Sequence, residues 1–540
     1  MTTLRLSILV FGAILWAVLN GPVEAQPDDL DRWIEAESRH FAVLSNAEPA
    51  IATETVVRLE AFRTLFSRLA DGFDLRSPAP TVLVAFRDGE SFSPYKTRAD
   101  GEGTRILGQF GARPEANILT LDVGAHAAGA WPVVLHEYTH HLVTHNIPGA
   151  PLWLNEGLAE YYSTFEMDND GRARVGQPVE RHLQWLGRDP ELDLAGVLAA
   201  DSGEARVHGP REVGRFYAVS WLLAHYLLSS GPERLDQLAG FLILVALGDD
   251  PEDALNEAFD LDVGELEEVL RAYLAGTLPS ATIDLGGPAT ADVRLRPVEP
   301  ADVLTRLGEL ALLVGAQERA GRHFDLALAI EPEHAEAAIG QATRWAIAGR
   351  LDEADVAWQD AVARGLDRPL PLLLAGRHAL RRGRLEDAKP LLEQAAEAYP
   401  GYAEAWHLLG LAHLARRDGS AARRAALEAR EAAPDRPQPV LLEIRALLAL
   451  EEIAAARRLV EGELRRLTSE EVADRAREEV ERHRWLLAAR RAFAQRAYEE
   501  AITAFDRAVD VTSDPTQRQR LEAELVRWVE QVERAAAAAP

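Results

Sequence analysis

Cysteine is absent from all 540 residues. With it go disulfides, iron–sulfur ligation, thiolate zinc sites, cysteine nucleophiles and cysteine-borne lipid anchors. Any metal must therefore be held by His, Asp or Glu. Lysine is almost absent, with only Lys96 and Lys389 among 58 basic residues. Arginine does not deprotonate, so Schiff-base chemistry has next to no candidates. Positive charge is in deficit as well: 58 Lys+Arg face 86 Asp+Glu, a formal charge of -28. Nucleic-acid binding wants an excess of cations against phosphate, so no nucleic-acid partner is expected. No apolar run beyond the N-terminus is long enough to span a bilayer, and none is expected in the mature chain. What is present is ordinary globular material, 47% hydrophobic and 27% charged. At roughly 150 residues per domain the length allows three or four domains, or fewer plus a repeat array.

The N-terminus reads as an export signal. Arg5 precedes the apolar run Leu6 to Leu19, and Asn20, Gly21 and Pro22 lead to Val23-Glu24-Ala25 before Gln26. One positive charge, a short apolar core and a small-residue cleavage pattern are its parts. The core is shorter than the roughly 20 residues that cross a bilayer. Residues 1–25 are thus expected to be removed, leaving a periplasmic or extracellular bacterial protein. Lacking disulfides, it must draw its stability from packing or from a metal.

Four regions follow. Residues 26–125 are mixed α/β: Glu35 to Leu44 alternates like a strand, Ile51 to Leu69 is helix-periodic, and Thr81 to Phe86 and Asn117 to Val123 are β-rich. Residues 126–278 are mostly helical. Residues 279–300 are rich in Gly, Pro and Asp and read as a linker. Beyond them the chain repeats. Gly308, Ala342, Gly376 and Gly410 stand 34 residues apart, as do Ala320, Ala354, Ala388, Ala422 and Ala456. Pro332, Pro400 and Pro434 fall on the same grid, with Leu366 in the missing slot. This period, with small residues where paired helices cross, is the signature of tetratricopeptide repeats. They are assigned to 301–470. A terminal repeat and cap occupy 471–540, where a longer helix near Asp474 to Arg491 explains a shift in register and Leu521 to Ala535 closes the stack.

The sharpest local signal is His136-Glu137-Tyr138-Thr139-His140, in a stretch that reads as a helix with Pro132 near its first turn. Residues i and i+4 share a helix face, so both imidazoles can grip one ion, while Glu137 is rotated slightly aside toward a metal-bound water. Trp153 to Tyr162 then places Glu156 and Glu160 on one face of a second helix. A catalytic zinc takes three protein ligands and an open position, and a ligating histidine is commonly oriented by a carboxylate. The two glutamates can fill both roles.

This combination resembles the gluzincin metallopeptidases, the superfamily of thermolysin and the aminopeptidase-N-like enzymes. Asn155-Glu156-Gly157-Leu158-Ala159 matches their N-E-G-x-A segment residue by residue. The resemblance implies Zn2+ held by His136, His140 and Glu156, with Glu137 as general base. It implies that Glu160 orients the first histidine. The spacing departs from the pattern: fifteen residues lie between His140 and Glu156, fewer than those families use, and Glu160 stands at the thermolysin-like distance. The segment match favours Glu156 as ligand, with Glu160 the alternative. Tyr217, opening a helical stretch to Leu228, resembles the tyrosine that steadies the tetrahedral intermediate, and His208 is the alternative donor. The resemblance implies an edge strand near the metal that pairs with the substrate backbone, for which Gly108 to Gly111 and Asn117 to Val123 are the candidates; a plain structural hairpin is the equal alternative. His141 and His145 read as packing or surface residues, and the histidines at 323, 334, 378, 407 and 413 as solenoid surface.

The expected fold is an α+β zincin-like N-terminal domain, a small sheet plus active-site helices, followed by an all-α tetratricopeptide solenoid. The full chain resembles exported bacterial proteins that join a peptidase-like domain to such repeats. The expected function is zinc-dependent hydrolysis of peptide bonds in a peptide or protein substrate, with a protein or peptide partner in the repeat groove. The alternative is a non-enzymatic interaction scaffold with a structural or vestigial zinc site. A hydrolase of peptidoglycan crosslinks or another amide would use the same residues. Sequencing the exported protein should give an N-terminus at Gln26; a start well before it would show that the segment is retained.

Overall fold

The computed structural model describes residues 30–537 apart from 31, 70–72, 74, 97–107, 112, 125–129, 148–149, 169, 189–191, 201–209, 248 and 288–291. The signal stretch 1–25 and His208 lie outside the described residues. Strands β1 (Ile34–Glu37) and β2 (Ala42–Ser45) form an antiparallel hairpin. The alternation read from Glu35 to Leu44 is therefore two strands, with the Ser38 N–H bonded to the Phe41 carbonyl at 2.8 Å in the turn. Helix α1 (Pro49–Leu69) leads to β3 (Thr81–Phe86), parallel to β2. Strand β4 (Gly108–Gly111) is antiparallel to β5 (Asn117–Asp122), which is parallel to β3. Of the two edge-strand candidates, β4 takes the edge and β5 lies inside.

Helices α2 (Ala130–Asn146) and α3 (Leu152–Ser163) follow. A small hairpin, β6 (Glu166–Met167) and β7 (Arg172–Val175), interrupts the helical region. Then come α4 (Glu180–Arg188), α5 (Leu194–Ala199), α6 (Pro210–Ser229), α7 (Pro232–Leu247), α8 (Pro251–Phe259) and α9 (Val263–Leu274). The stretch read as a linker is not free chain. It carries β8 (Ala281–Asp284), which joins β7, and β9 (Arg294–Pro297), which pairs with β1. Backbone pairing needs no hydrophobic pattern, which is why a Gly, Pro and Asp-rich stretch hid two edge strands. The large sheet runs β4-β5-β3-β2-β1-β9.

Its strands are apolar at successive positions because both faces are covered. Ala36, Val43, Leu83, Ala85, Leu119 and Leu121 pack with α1, α2 and α3. Leu44, Val84, Phe86 and Ile118 point the other way. They meet Val303, Leu304, Leu307 and Phe324 from α10 (Pro300–Leu313) and α11 (Gln317–Ile330), the first helix pair of the solenoid. The solenoid continues as α12 (Ala335–Ile347) with α13 (Leu351–Arg364), α14 (Pro369–Arg381) with α15 (Leu385–Ala398), and α16 (Ala403–Ala415) with α17 (Gly419–Ala432). Next are α18 (Pro437–Ala449) and α19 (Ile453–Leu459), the latter extended by a wide turn at Val460–Leu464. It ends in α20 (Glu470–Ala494), α21 (Tyr498–Asp510) and α22 (Pro515–Ala537). The 25 residues of α20 account for the shifted register. The small-residue period has a steric cause: a Cβ at Gly308 would run into the Phe324 ring, one at Gly376 into Leu392 and one at Gly410 into Leu442.

Three histidines read as solenoid surface are buried: His323, His334 and His378. Each has local partners. His323 Nε2 lies 2.8 Å from Tyr95 Oη, His334 accepts from the Ala337 N–H at helix start, and His378 stacks on Trp358 and pairs with Asp355. A ring whose nitrogens find partners is inexpensive to bury, and sequence pattern does not show such partners.

Glu404 stands near Glu115 where the solenoid meets the N-terminal domain. Burial pushes its carboxyl up to about 7, with Arg377 opposing and Glu115 adding to the shift. The folded chain binds this proton more tightly than an ordinary carboxyl near 4.5, so its stabilisation is complete below about 4.5 and lost as the pH rises through about 7. Glu404→Gln is expected to flatten the fall in melting temperature across that window, measured by thermal unfolding at stepped pH; an unchanged slope would contradict it.

Candidate metal centre

Helix α2 buries Val134, Leu135, Tyr138, Thr139, Leu142 and Val143, which leaves His136, Glu137 and His140 half-buried on another side. Helix α3 buries Trp153, Leu154, Leu158 and Tyr161, with Asn155 and Glu156 half-buried. The two helices pack against each other, and α3 crosses α6 at Gly157. There a Cβ would lie 2.7 Å from Ala224 Cβ and would overlap the Ser220 carbonyl. Glycine is required for this approach, and the approach brings Glu156 and Tyr217 to one place.

The donor atoms of His136, His140 and Glu156 lie within 4.8 Å of one another. Glu156 Oε2 is 3.5 Å from His136 Nε2 and 3.3 Å from His140 Nε2, and the two Nε2 atoms are 3.0 Å apart. The other ring nitrogens are engaged elsewhere. His140 Nδ1 lies 3.0 Å from Asn155 Oδ1, and His136 Nδ1 lies 3.6 Å from Glu160 Oε1. With protons on both Nδ1 atoms, two imidazole lone pairs and a carboxylate face one point. Glu156 Oε2 is buried there without a hydrogen-bond partner. Three converging acceptors repel unless a cation lies between them, so the donor set fits a divalent metal.

The titration of these groups reflects how close they stand. Burial alone would raise the Glu156 carboxyl, but the two imidazoles outweigh it and hold it down at about 2. Burial would lower His140, yet Glu156 and Asn155 raise it above its ordinary value. Glu160, 2% exposed, is likewise held at about 2, against the cost of burial, by His182, His136 and Arg181.

Each sequence candidate has a definite place. Glu156 faces both Nε2 atoms, whereas Glu160 turns to the far nitrogen of His136. Tyr217 on α6 has its ring centroid 6.4 Å from that of His136. Burial, then the Glu156, Glu137 and Glu160 carboxylates, push its phenol well up, so it stays protonated as a donor. Glu137 is near enough to act on both Tyr217 and His140. A cavity of about 650 Å³ opens beside His136, walled by Val133, Val179, Arg181, Trp185 and Tyr217.

Sequence reading passed over three residues. Asn155 fixes His140, and His182 and Arg181 hold Glu160: His182 Nε2 lies 3.0 Å from Glu160 Oε2, and Arg181 pairs with Oε1. Asn155 lies in the quoted N-E-G segment, so its signal was available. The Arg181-His182 pair has no spacing relation to the histidines and enters only because α4 folds over α3.

The comparisons with known proteins bear on the repeats. A family model described as tetratricopeptide repeat matches residues 379–439. Among solved structures, PilF of Pseudomonas aeruginosa is 21% identical, covering 42% of this chain and 97% of that one at a TM-score of 0.30. YrrB, described as a tetratricopeptide protein with an unusual peptide-binding site, is 18% identical over 33% of this chain and 92% of its own at 0.30. A repeat protein from Parabacteroides merdae is 13% identical over 42% and 98%, also at 0.30. No curated protein matches. The chain therefore contains a tetratricopeptide repeat region beside a small N-terminal sheet.

Gly157→Ala is expected to force α3 from α6, at about 1–3 kcal/mol of stability, and to lower bound metal by displacing Glu156. Melting temperature and metal content together measure this; a variant with wild-type values for both would refute the close-approach argument.

Proposed function

We propose that this chain is an exported tetratricopeptide protein that engages a protein or peptide partner and carries a zinc centre able to hydrolyse peptide bonds. The matches support the repeat module, and through it the interaction scaffold favoured as the alternative reading; they do not bear on hydrolysis. Among the described helices none is long and apolar enough to cross a membrane. Export rests on the N-terminal sequence alone.

The hydrolytic part is carried by one observation. His136, His140 and Glu156 converge while Glu137 and Tyr217, which a purely structural metal would not need, stand beside them. Zinc in such a set acidifies a bound water and polarises a carbonyl. Glu137 would take the water's proton and pass it to the leaving amine. Tyr217, kept protonated by its surroundings, would donate to the oxygen that gains charge, a contribution worth about a hundredfold or more in comparable sites. Glu160, 3.6 Å from His136 Nδ1, would favour the tautomer that carries its proton there, and His182 and Arg181 keep Glu160 in place.

Metal analysis combined with peptide-library cleavage separates the readings. Wild-type protein purified without chelator should hold one zinc, and Glu156→Ala should lose it. Glu137→Gln should keep the metal and lose cleavage by about 10²–10⁴-fold. Zinc in the wild type with no cleavage of any peptide would leave the scaffold with a structural site; no metal at all would remove both the centre and the hydrolase.

A further inference from the structure

The first helices of successive repeats, α10, α12, α14, α16 and α18, pack on one another, whereas the second helices pack chiefly on first helices. In a curved stack the more closely spaced row lies on the inside of the bend, the face solenoids use for binding. From α10 to the start of α16 that row is already engaged by the N-terminal domain. Arg306 pairs with Glu35, and Arg377 with Glu115.

The contact has the chemistry of peptide recognition. Residues 77–80 read Ser-Pro-Ala-Pro, and the two prolines have no N–H, so the segment presents carbonyls. The solenoid supplies the donors. Tyr399 Oη donates to the Ser77 carbonyl at 3.1 Å, and the Ala403 N–H donates to the Pro78 carbonyl at 2.9 Å. Tyr402, which is fully buried, donates its hydroxyl to the Glu115 carbonyl. At Gly401 a Cβ would stand 2.8 Å from the Ser77 oxygen, so only glycine lets the backbones approach. Ala79 and Ala116 share a core with Leu370, Leu374 and Tyr402.

We infer that Ser77–Pro80 with Glu115–Ala116 is the resident ligand of the repeat face, so that this surface is a receptor for the chain's own N-terminal domain. An outside peptide of the same kind, extended and proline-bearing, meets it only by competition. The inference is independent of whether the metal centre is catalytic.

The test uses the full-length protein. Hydrogen exchange read by mass spectrometry should show peptides over 113–117 and 400–406 as protected as those over β3. Tyr402→Phe combined with Arg377→Gln should speed exchange there at least tenfold without altering α20 to α22. A labelled synthetic peptide spanning residues 75–82 should bind this double variant and not the wild type. Fast exchange over 400–406 in the wild type, or equal peptide binding by both proteins, would overturn the inference. If the double variant does not fold, the wild-type exchange and binding measurements decide alone.

Discussion

A sheet with two apolar faces is the constraint on which the rest of this molecule depends. Leu83 and Ala85 look one way, Val84 and Phe86 the other, and neither set can be left to water. Burial of each large side chain is worth about 1.5–3 kcal/mol, so an uncovered face would consume much of a domain's net stability. One cover is the layer of α1, α2 and α3, which includes both helices of the candidate metal centre. The other is the first helix pair of the solenoid. The repeats are therefore the second wall of the domain that holds the candidate metal centre.

The arrangement has consequences for the site. Helix α2 is held on one side by the sheet, and its far end is close enough to the repeats for Arg436 to act on His141. There burial first, then His145 and Arg436, push the imidazole down to about 4. His136 and His140 thus sit on a helix held by the sheet on one side and by α3 on another. Helix α3 gains its position from its crossing with α6 at Gly157. Acceptors forced together by two well-packed helices cannot relax apart, which is what makes an otherwise repulsive cluster fit a cation. Asn155, Glu160, His182 and Arg181 complete the restraint by engaging the nitrogens and oxygens that face away from the centre.

A solenoid face bound to its own chain also changes how the repeat module is viewed. Such modules are commonly pictured as open grooves, and the repeat match alone invites that picture. Here the tyrosine hydroxyls and the helix-start amide that could receive a peptide already hold carbonyls of the 77–80 segment and Glu115. The row of first helices that would line a groove is used to cradle a domain.

Much was legible in the sequence because it depends on local periodicity. The i, i+4 pair His136 and His140 lies on one face of any helix, and the 34-residue spacing of Gly308, Ala342, Gly376 and Gly410 follows from where helix pairs must cross. The strand Thr81–Phe86 was visible because a short apolar run rich in β-branched residues and ending in an aromatic leaves few other choices. Tertiary structure decided whatever depends on the approach of distant segments. It turned Glu156 to the histidines and Glu160 to the ring behind, set His182 under Glu160, and buried His323 against Tyr95. It also drew the apparent linker into two sheets through β8 and β9 and seated the N-terminal domain on the repeats. Hydrogen bonds and ion pairs between remote segments carry no periodicity, so the sequence determined the parts and only the packed chain decided which of them meet.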